Sequence, residues 1–182
     1  QRAIKRDNIS LENIQNRISL QMPEADKKKI SDFIINNNFS LNHLYKELET
    51  LYNSNTSKLM YVAKICDVNS SQYVKSTPND VMYENMDDYI NGDGSESNKK
   101  RAAKNFINVA KLSMEEVKIR ALVKDALFYR FITTKAGGWI EPADSGVRMG
   151  KSPDEVKLFL MDPKNDEVLE STLAKVEPYW NS

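Results

Sequence analysis

This chain of 182 residues is poor in several things that would otherwise narrow its chemistry. It has one cysteine, Cys66, so no internal disulfide framework can form, and a reducing compartment suits it. Cys66 and the sole histidine, His43, are too few soft ligands for a structural zinc site within one chain. Six glycines and six prolines exclude collagen-like or glycine-rich architectures. No apolar run approaches the roughly 18 residues a membrane span requires. Nor does an apolar stretch follow Arg2 to Arg6, so no signal peptide is expected. Neither sign of charge dominates: 26 basic residues balance 26 acidic ones. These absences point to a polar, mainly α-helical intracellular protein with no membrane partner, and the asparagine and lysine usage is compatible with a microbial or phage source, in the cytoplasm or within a phage particle.

The zero net charge is unevenly laid out. Residues 1–50 carry eight basic and seven acidic groups, residues 51–95 three and six, and residues 121–182 eight and ten. Residues 96–120 carry seven basic groups against three acidic ones. A local basic excess is the footprint that phosphate binding leaves in a sequence. Lys99, Lys100, Arg101, Lys104, Lys111 and Lys118 are therefore the nucleic-acid-binding candidates. Lys104, Lys111 and Lys118 recur every seven residues and would form one stripe on a continuous helix. A capping sequence at Ser113 is expected to interrupt that helix.

Hydrophobic spacing supplies the elements. Ser10 can cap a helix over 9–21 that carries Ile14, Ile18 and Leu20 and ends before Pro23. Phe33-Ile34-Ile35, stopped by Asn36 to Asn38, reads as a short strand. Ser40 opens a helix whose Leu41, Leu44, Tyr45, Leu48 and Leu51 line one face. Asn53 to Ser57 form a loop, and residues 58–66 fit a short helix or a strand equally well. Residues 67–98 look irregular, and 91–98 are almost pure turn formers.

The second half is more strongly patterned. Phe106, Ile107, Val109 and Ala110 mark a helix, and Ser113 with Glu116 has the form of a capping box opening another over about 114–132. Ala136-Gly137-Gly138 stops it. Trp139-Ile140 and Val147 to Met149 are expected to pair as a small hairpin across Pro142 to Gly146. Ser152-Pro153-Asp154-Glu155 opens a helix that ends before Pro163, and a last helix covers about 165–176. The expected fold is mainly α with a minor β element in the C-terminal half. Its expected organisation is a helical segment (1–52), an irregular connector (53–97) and a compact helical unit with a hairpin (98–182).

Motifs for catalysis are weak. Gly150-Lys151-Ser152 lacks the first glycine of a phosphate loop, since Ser145 stands there, and Pro153 removes a needed amide. A calcium loop starting at Asp87 fails at Tyr89 and at Asn98. His43 has no recognisable nucleophile or orienting acid, and Cys66 reads as a packing residue. Trp139, Tyr129 and Phe131 read as core residues or, failing that, contact residues. No catalytic residue, metal ligand or cofactor is assigned.

Two stretches resemble known families. Gln1, Arg6-Asp7-Asn8, Arg17-Ile18, Gln21-Met22-Pro23, Lys27-Lys28, Ser31 to Asn37 and Ser40-Leu41 follow the order found in the C-terminal part of dephospho-CoA kinase. The resemblance covers about residues 1–52 and implies a nucleotide-binding role for Arg6 and Arg17 near phosphates. The phosphate loop that phosphoryl transfer requires is not among the residues of this chain. Leu122-Val123, Phe131-Ile132, Lys135, Gly138-Trp139, Arg148, Gly150, Val156, Phe159-Leu160 and Asp162-Pro163 are similar in order to the C-terminal domain of RecA-type recombinases, over about residues 120–176. The two functional expectations are a non-catalytic helical binding or structural protein, able to form an oligomer, whose partner is a protein assembly or nucleic acid, and a fragment or fusion derived from dephospho-CoA kinase. A join of two unrelated pieces near Asn53–Ser57 is a third.

Overall fold

A computed structural model describes residues 41–67, 73–92 and 94–182. The chain divides into two units, Gln1–Asn38 and Phe39–Ser182, and every described residue belongs to the second. The expected helix over 9–21, the strand at 33–35, Arg6 and Arg17 all lie outside the described residues.

Seven α-helices and one two-stranded antiparallel sheet make up the described part, which is therefore mainly α with a minor β element. The helices are α1 (Leu41–Ser54), α2 (Thr56–Cys66), α3 (Asn79–Asn91), α4 (Glu96–Ala110), α5 (Met114–Phe128), α6 (Pro153–Met161) and α7 (Asp166–Trp180). The strands β1 (Ile132–Thr134) and β2 (Ile140–Pro142) lie between α5 and α6.

Helix α2 resolves the ambiguity of residues 58–66. Asn55 caps it, its Oδ1 accepting from the Lys58 amide at 3.0 Å, and Leu59 to Ala63 are all buried. An apolar run this dense cannot be assigned by periodicity; burial on nearly every side explains it. Around α2 pack α1, α3, α4 and α5, while α5 also carries α6, α7 and β1. Leu44, Leu48 and Leu51 of α1 join Leu59, Phe106, Leu122 and Val156 in one continuous core. That core runs across both 53–57 and 97, so neither position separates independent packing units.

Helix α3 is the main departure from expectation, because it lies inside the stretch read as irregular. Met82, Met86 and Ile90 recur every four residues and are at most 2% exposed. Their stripe is narrow and, apart from the exposed Val81, the rest of the helix is Asn, Asp, Glu and Tyr, which masks it in composition. A second departure is the end of α5. It stops at Phe128, not 132, and Arg130 takes a left-handed φ of 61° that turns the chain into β1. The ladder is then Ile132 opposite Pro142 and Thr134 opposite Ile140. The pairing anticipated from sequence survives only as a single bridge, Ile140 with Gly150.

One polar cluster lies inside the core. Lys64 of α2 and Asp125 of α5 form an ion pair at 2.8 Å, their side chains 1% and 0% exposed. Trp180 of α7 donates its indole N–H to the same Asp125 Oδ2 at 2.6 Å. Beside it, the Lys124 ammonium donates to the carbonyls of Lys64 and Ile65 at 2.8 and 3.2 Å, and to that of Asp67. A cation at these orphan carbonyls closes the C-terminal end of α2 and complements its dipole.

Removing one member of a buried pair leaves the other charged and unpaired, at a cost of about 3–5 kcal/mol. Asp125→Ala is expected to lower the unfolding free energy by that amount in urea titrations. Adding Lys64→Met to the same variant should restore part of it. A loss below about 1 kcal/mol for Asp125→Ala would show that the pair does not hold the core together.

Candidate nucleic-acid interface

Helix α4 positions most of the basic candidates. Ser95 caps it, accepting from the Asn98 amide at 3.3 Å, and Glu96 is its only acidic residue. At 100° per residue, Lys100, Arg101, Lys104, Asn108 and Lys111 fall within an arc of about 100°. Phe106, Ile107, Val109 and Ala110 occupy the other side and are buried. The polar arc is exposed along its length. From Lys100 to Lys111 it extends about 16 Å at the helical rise.

The candidates divide cleanly. Among the described residues, Lys100, Arg101 and Lys104 form no ion pair. Lys99 sits half-buried beside them, on the rim of a polar cleft of about 320 Å³ that includes Asp88, Tyr89 and Asn98. Lys111 closes α4, its amide bonded to the Ile107 carbonyl at 3.2 Å. Lys118 belongs elsewhere: it lies on α5 and faces Glu177 of α7 at 3.6 Å. Ser113 causes the separation by accepting from the Glu116 amide at 3.1 Å and starting a new helix. The heptad stripe of Lys104, Lys111 and Lys118 is therefore broken, as the cap implied.

The other half of that capping box does not form. The Glu116 carboxylate instead accepts from Lys157 of α6 at 2.8 Å and lies 3.7 Å from Arg120. The Lys157 hydrogen bond is the leading reason its carboxyl is held below the usual range. A local cap has become a tie between α5 and α6.

Sequence reasoning passed over two further surfaces. The first is an apolar groove of about 540 Å³ where Ile65, Val123, Leu127, Phe128 and Pro153 meet. Its rim cations are engaged, Arg120 with Glu116 and Asp154 and Lys124 with the α2 carbonyls. The second is the β1–β2 hairpin. There Trp139 is half-buried rather than core, with Arg148 and Lys151 over its ring at 5.4 and 5.0 Å. Tyr129 and Phe131 are likewise half-buried, and Tyr129 stacks on Tyr179 with ring centroids 4.2 Å apart.

His43 is half-buried on α1. Cys66 is buried, with the Asn105 amide 3.9 Å from its sulfur. Among the described residues no group of His, Cys, Asp and Glu is placed to hold a metal ion, and no helix is long and apolar enough to cross a membrane.

The dephospho-CoA kinase family matches residues 1–43. The dephospho-CoA kinase of Acinetobacter baylyi (strain ATCC 33305 / BD413 / ADP1) is 43% identical over 51 residues, which is 28% of this chain and 26% of that protein. The chain thus spans about a quarter of the length of the curated relative it matches. No solved structure matches. The similarity is to a segment of dephospho-CoA kinase, and the likeness of residues 120–176 to recombinases finds no support.

Burial is the leading cause that pushes the Cys66 thiol up to about 12, and only the thiolate attacks alkylating reagents. Native protein is expected to resist iodoacetamide at pH 8 and to label fully once unfolded in denaturant. Labelling of the native protein at the rate of a free thiol would contradict this packing.

Proposed function

We propose that the chain is a helical nucleic-acid-binding protein that engages phosphates through the exposed face of α4. The observation that carries this reading is the arrangement of Lys100, Arg101, Lys104 and Lys111 on one arc of a helix whose only acid is Glu96. Cations grouped this way neutralise successive phosphates and release their counterions. The zero net charge of the whole chain makes the binding local: the field comes from one helix, not from the molecule. The role is binding rather than turnover, and an unpaired Cys66 fits an intracellular setting.

A labelled oligonucleotide titrated at several salt concentrations tests it. Each phosphate neutralised on a single strand contributes about −0.7 to the log–log slope. Lys100→Ala, Arg101→Ala and Lys104→Ala together should therefore make the slope shallower by about 2 and weaken binding. Binding with no salt dependence, or unchanged in the triple variant, would remove α4 from the interface. Capture of an acidic protein in place of the oligonucleotide would favour a protein assembly as partner.

The match of residues 1–43 to dephospho-CoA kinase favours a second reading, a kinase-derived segment that retains nucleotide binding. By that resemblance Arg6 and Arg17 would lie near nucleotide phosphates. Calorimetric titration with ATP or dephospho-CoA should then give a saturable signal that Arg6→Ala abolishes. A flat titration, or one indifferent to Arg6, would leave the match as a mark of ancestry.

A further inference from the structure

The hairpin after α5 brings three cations and an indole to one place. β1 and β2 are joined by Lys135 to Trp139, whose turn is closed by the Lys135 amide donating to the Trp139 carbonyl at 2.7 Å. Gly137 and Gly138 have φ values of 80° and 79°, which side-chain-bearing residues rarely adopt. The turn therefore brings the backbones of Lys135 and Trp139 together across Ala136-Gly137-Gly138.

On the next pass Ile140 donates to the Gly150 carbonyl at 2.7 Å and accepts from the Met149 amide at 3.0 Å. This bridge fixes Arg148 and Lys151 on either side of Met149-Gly150. Gly150 is required for the approach, since a Cβ there would lie 2.5 Å from the Glu155 Cβ and 3.0 Å from the Val156 nitrogen. Both neighbouring cations then reach the Trp139 ring, Arg148 Cζ at 5.4 Å and Lys151 Nζ at 5.0 Å.

Only one of the three cations is ion-paired within the hairpin. Arg148 is 66% exposed and touches Glu141 only at 3.5 Å. Among the described residues, the ammonium groups of Lys135 and Lys151 form no ion pair. Asp144, the other acid of the hairpin, is occupied by Lys175 at 2.6 Å. Glu155 is turned to the backbone, accepting from the Lys151 amide at 2.9 Å.

We propose that Trp139, Arg148 and Lys151 form a contact point for single-stranded nucleic acid, in which an unpaired base stacks on the indole and guanidinium planes. Lys151 and Lys135 carry the adjacent phosphates. Stacking on aromatic and guanidinium faces is open to any base, and a duplex hides those faces. The inference rests on the nucleic-acid reading of the chain and specifies its partner as unpaired strand.

Intrinsic fluorescence isolates the site, because the chain has two tryptophans and the other, Trp180, is 1% exposed and bonded to Asp125. Titration of the full chain with an oligothymidylate of about eight nucleotides should quench Trp139. The matching duplex should not, and thymidine monophosphate should do so only at far higher concentration. Trp139→Leu should weaken oligothymidylate binding by about five- to a hundredfold. Arg148→Lys, which keeps the charge and the tryptophan, should weaken it by a smaller factor. Quenching that persists in the Lys100→Ala, Arg101→Ala, Lys104→Ala variant would establish the hairpin even if α4 plays no part. Salt-dependent binding without any Trp139 response would overturn the hairpin and leave α4 standing. Equal quenching by duplex, by monophosphate at the same concentration, or no binding at all would also overturn it.

Discussion

A lysine ammonium and an aspartate carboxylate buried side by side constrain everything around them. Each carries a large desolvation cost, which only close pairing with good geometry offsets. Lys64 reaches Asp125 at 2.8 Å because α2 and α5 lie against each other, and Trp180 can bond the same oxygen only if α7 covers both. Three helices distant in sequence are thereby held in one relative arrangement. Apolar packing would tolerate sliding between them; a shared buried oxygen does not. Lys124, one residue along α5, adds direction by gripping the end of α2 through its carbonyls.

The same economy governs the surface. Basic residues on α5, α6 and α7 are drawn into ion pairs: Lys118 with Glu177, Lys157 with Glu116, Lys175 with Asp144. Helix α4 is different because its one acid sits in the first turn, where it serves the helix N-terminus, and among the described residues Lys100, Arg101 and Lys104 enter no ion pair. The hairpin is different for another reason. Asp144 is committed to Lys175 and Glu155 to the backbone, while Arg148, 3.5 Å from Glu141, shares the indole with Lys151. A neutral chain thus carries two small regions of clustered positive charge.

How much of this could be read beforehand follows from the range of each signal. Ser113 and Ser152 announce their helices because a cap is settled within four residues, and both hydroxyls do accept the expected amides. The helix α3 stripe of Met82, Met86 and Ile90 was present but diluted by polar neighbours. β1 was hidden because its entry turn uses Arg130 in a conformation usually marked by glycine. Lys64 was visible as a lone charge within the apolar run from Leu59 to Cys66, yet its partner lies 61 residues away. Nothing local could name Asp125. The basic face of α4 was legible as charge composition, whereas the meeting of Trp139 with Arg148 and Lys151 depends on a bridge across ten residues.

That difference bears on how the two basic regions would act together. The arc of α4 and its C-cap spans about 16 Å from Lys100 to Lys111, so its cations follow the helical spacing and offer charge without regard to base. The hairpin offers one planar stack and needs a base free of its complement. Phosphate contacts position a strand, while stacking distinguishes paired from unpaired. A chain with both would gain affinity from the first and selectivity from the second. The buried Lys64–Asp125–Trp180 contact links the two physically: α2 packs on α4, while α5 carries β1 and continues through Arg130 into the hairpin. Loosening that contact would leave each surface chemically intact but free to change its spacing from the other. Binding of a short strand to one site alone would survive such a change, and binding of a strand long enough to use both would not.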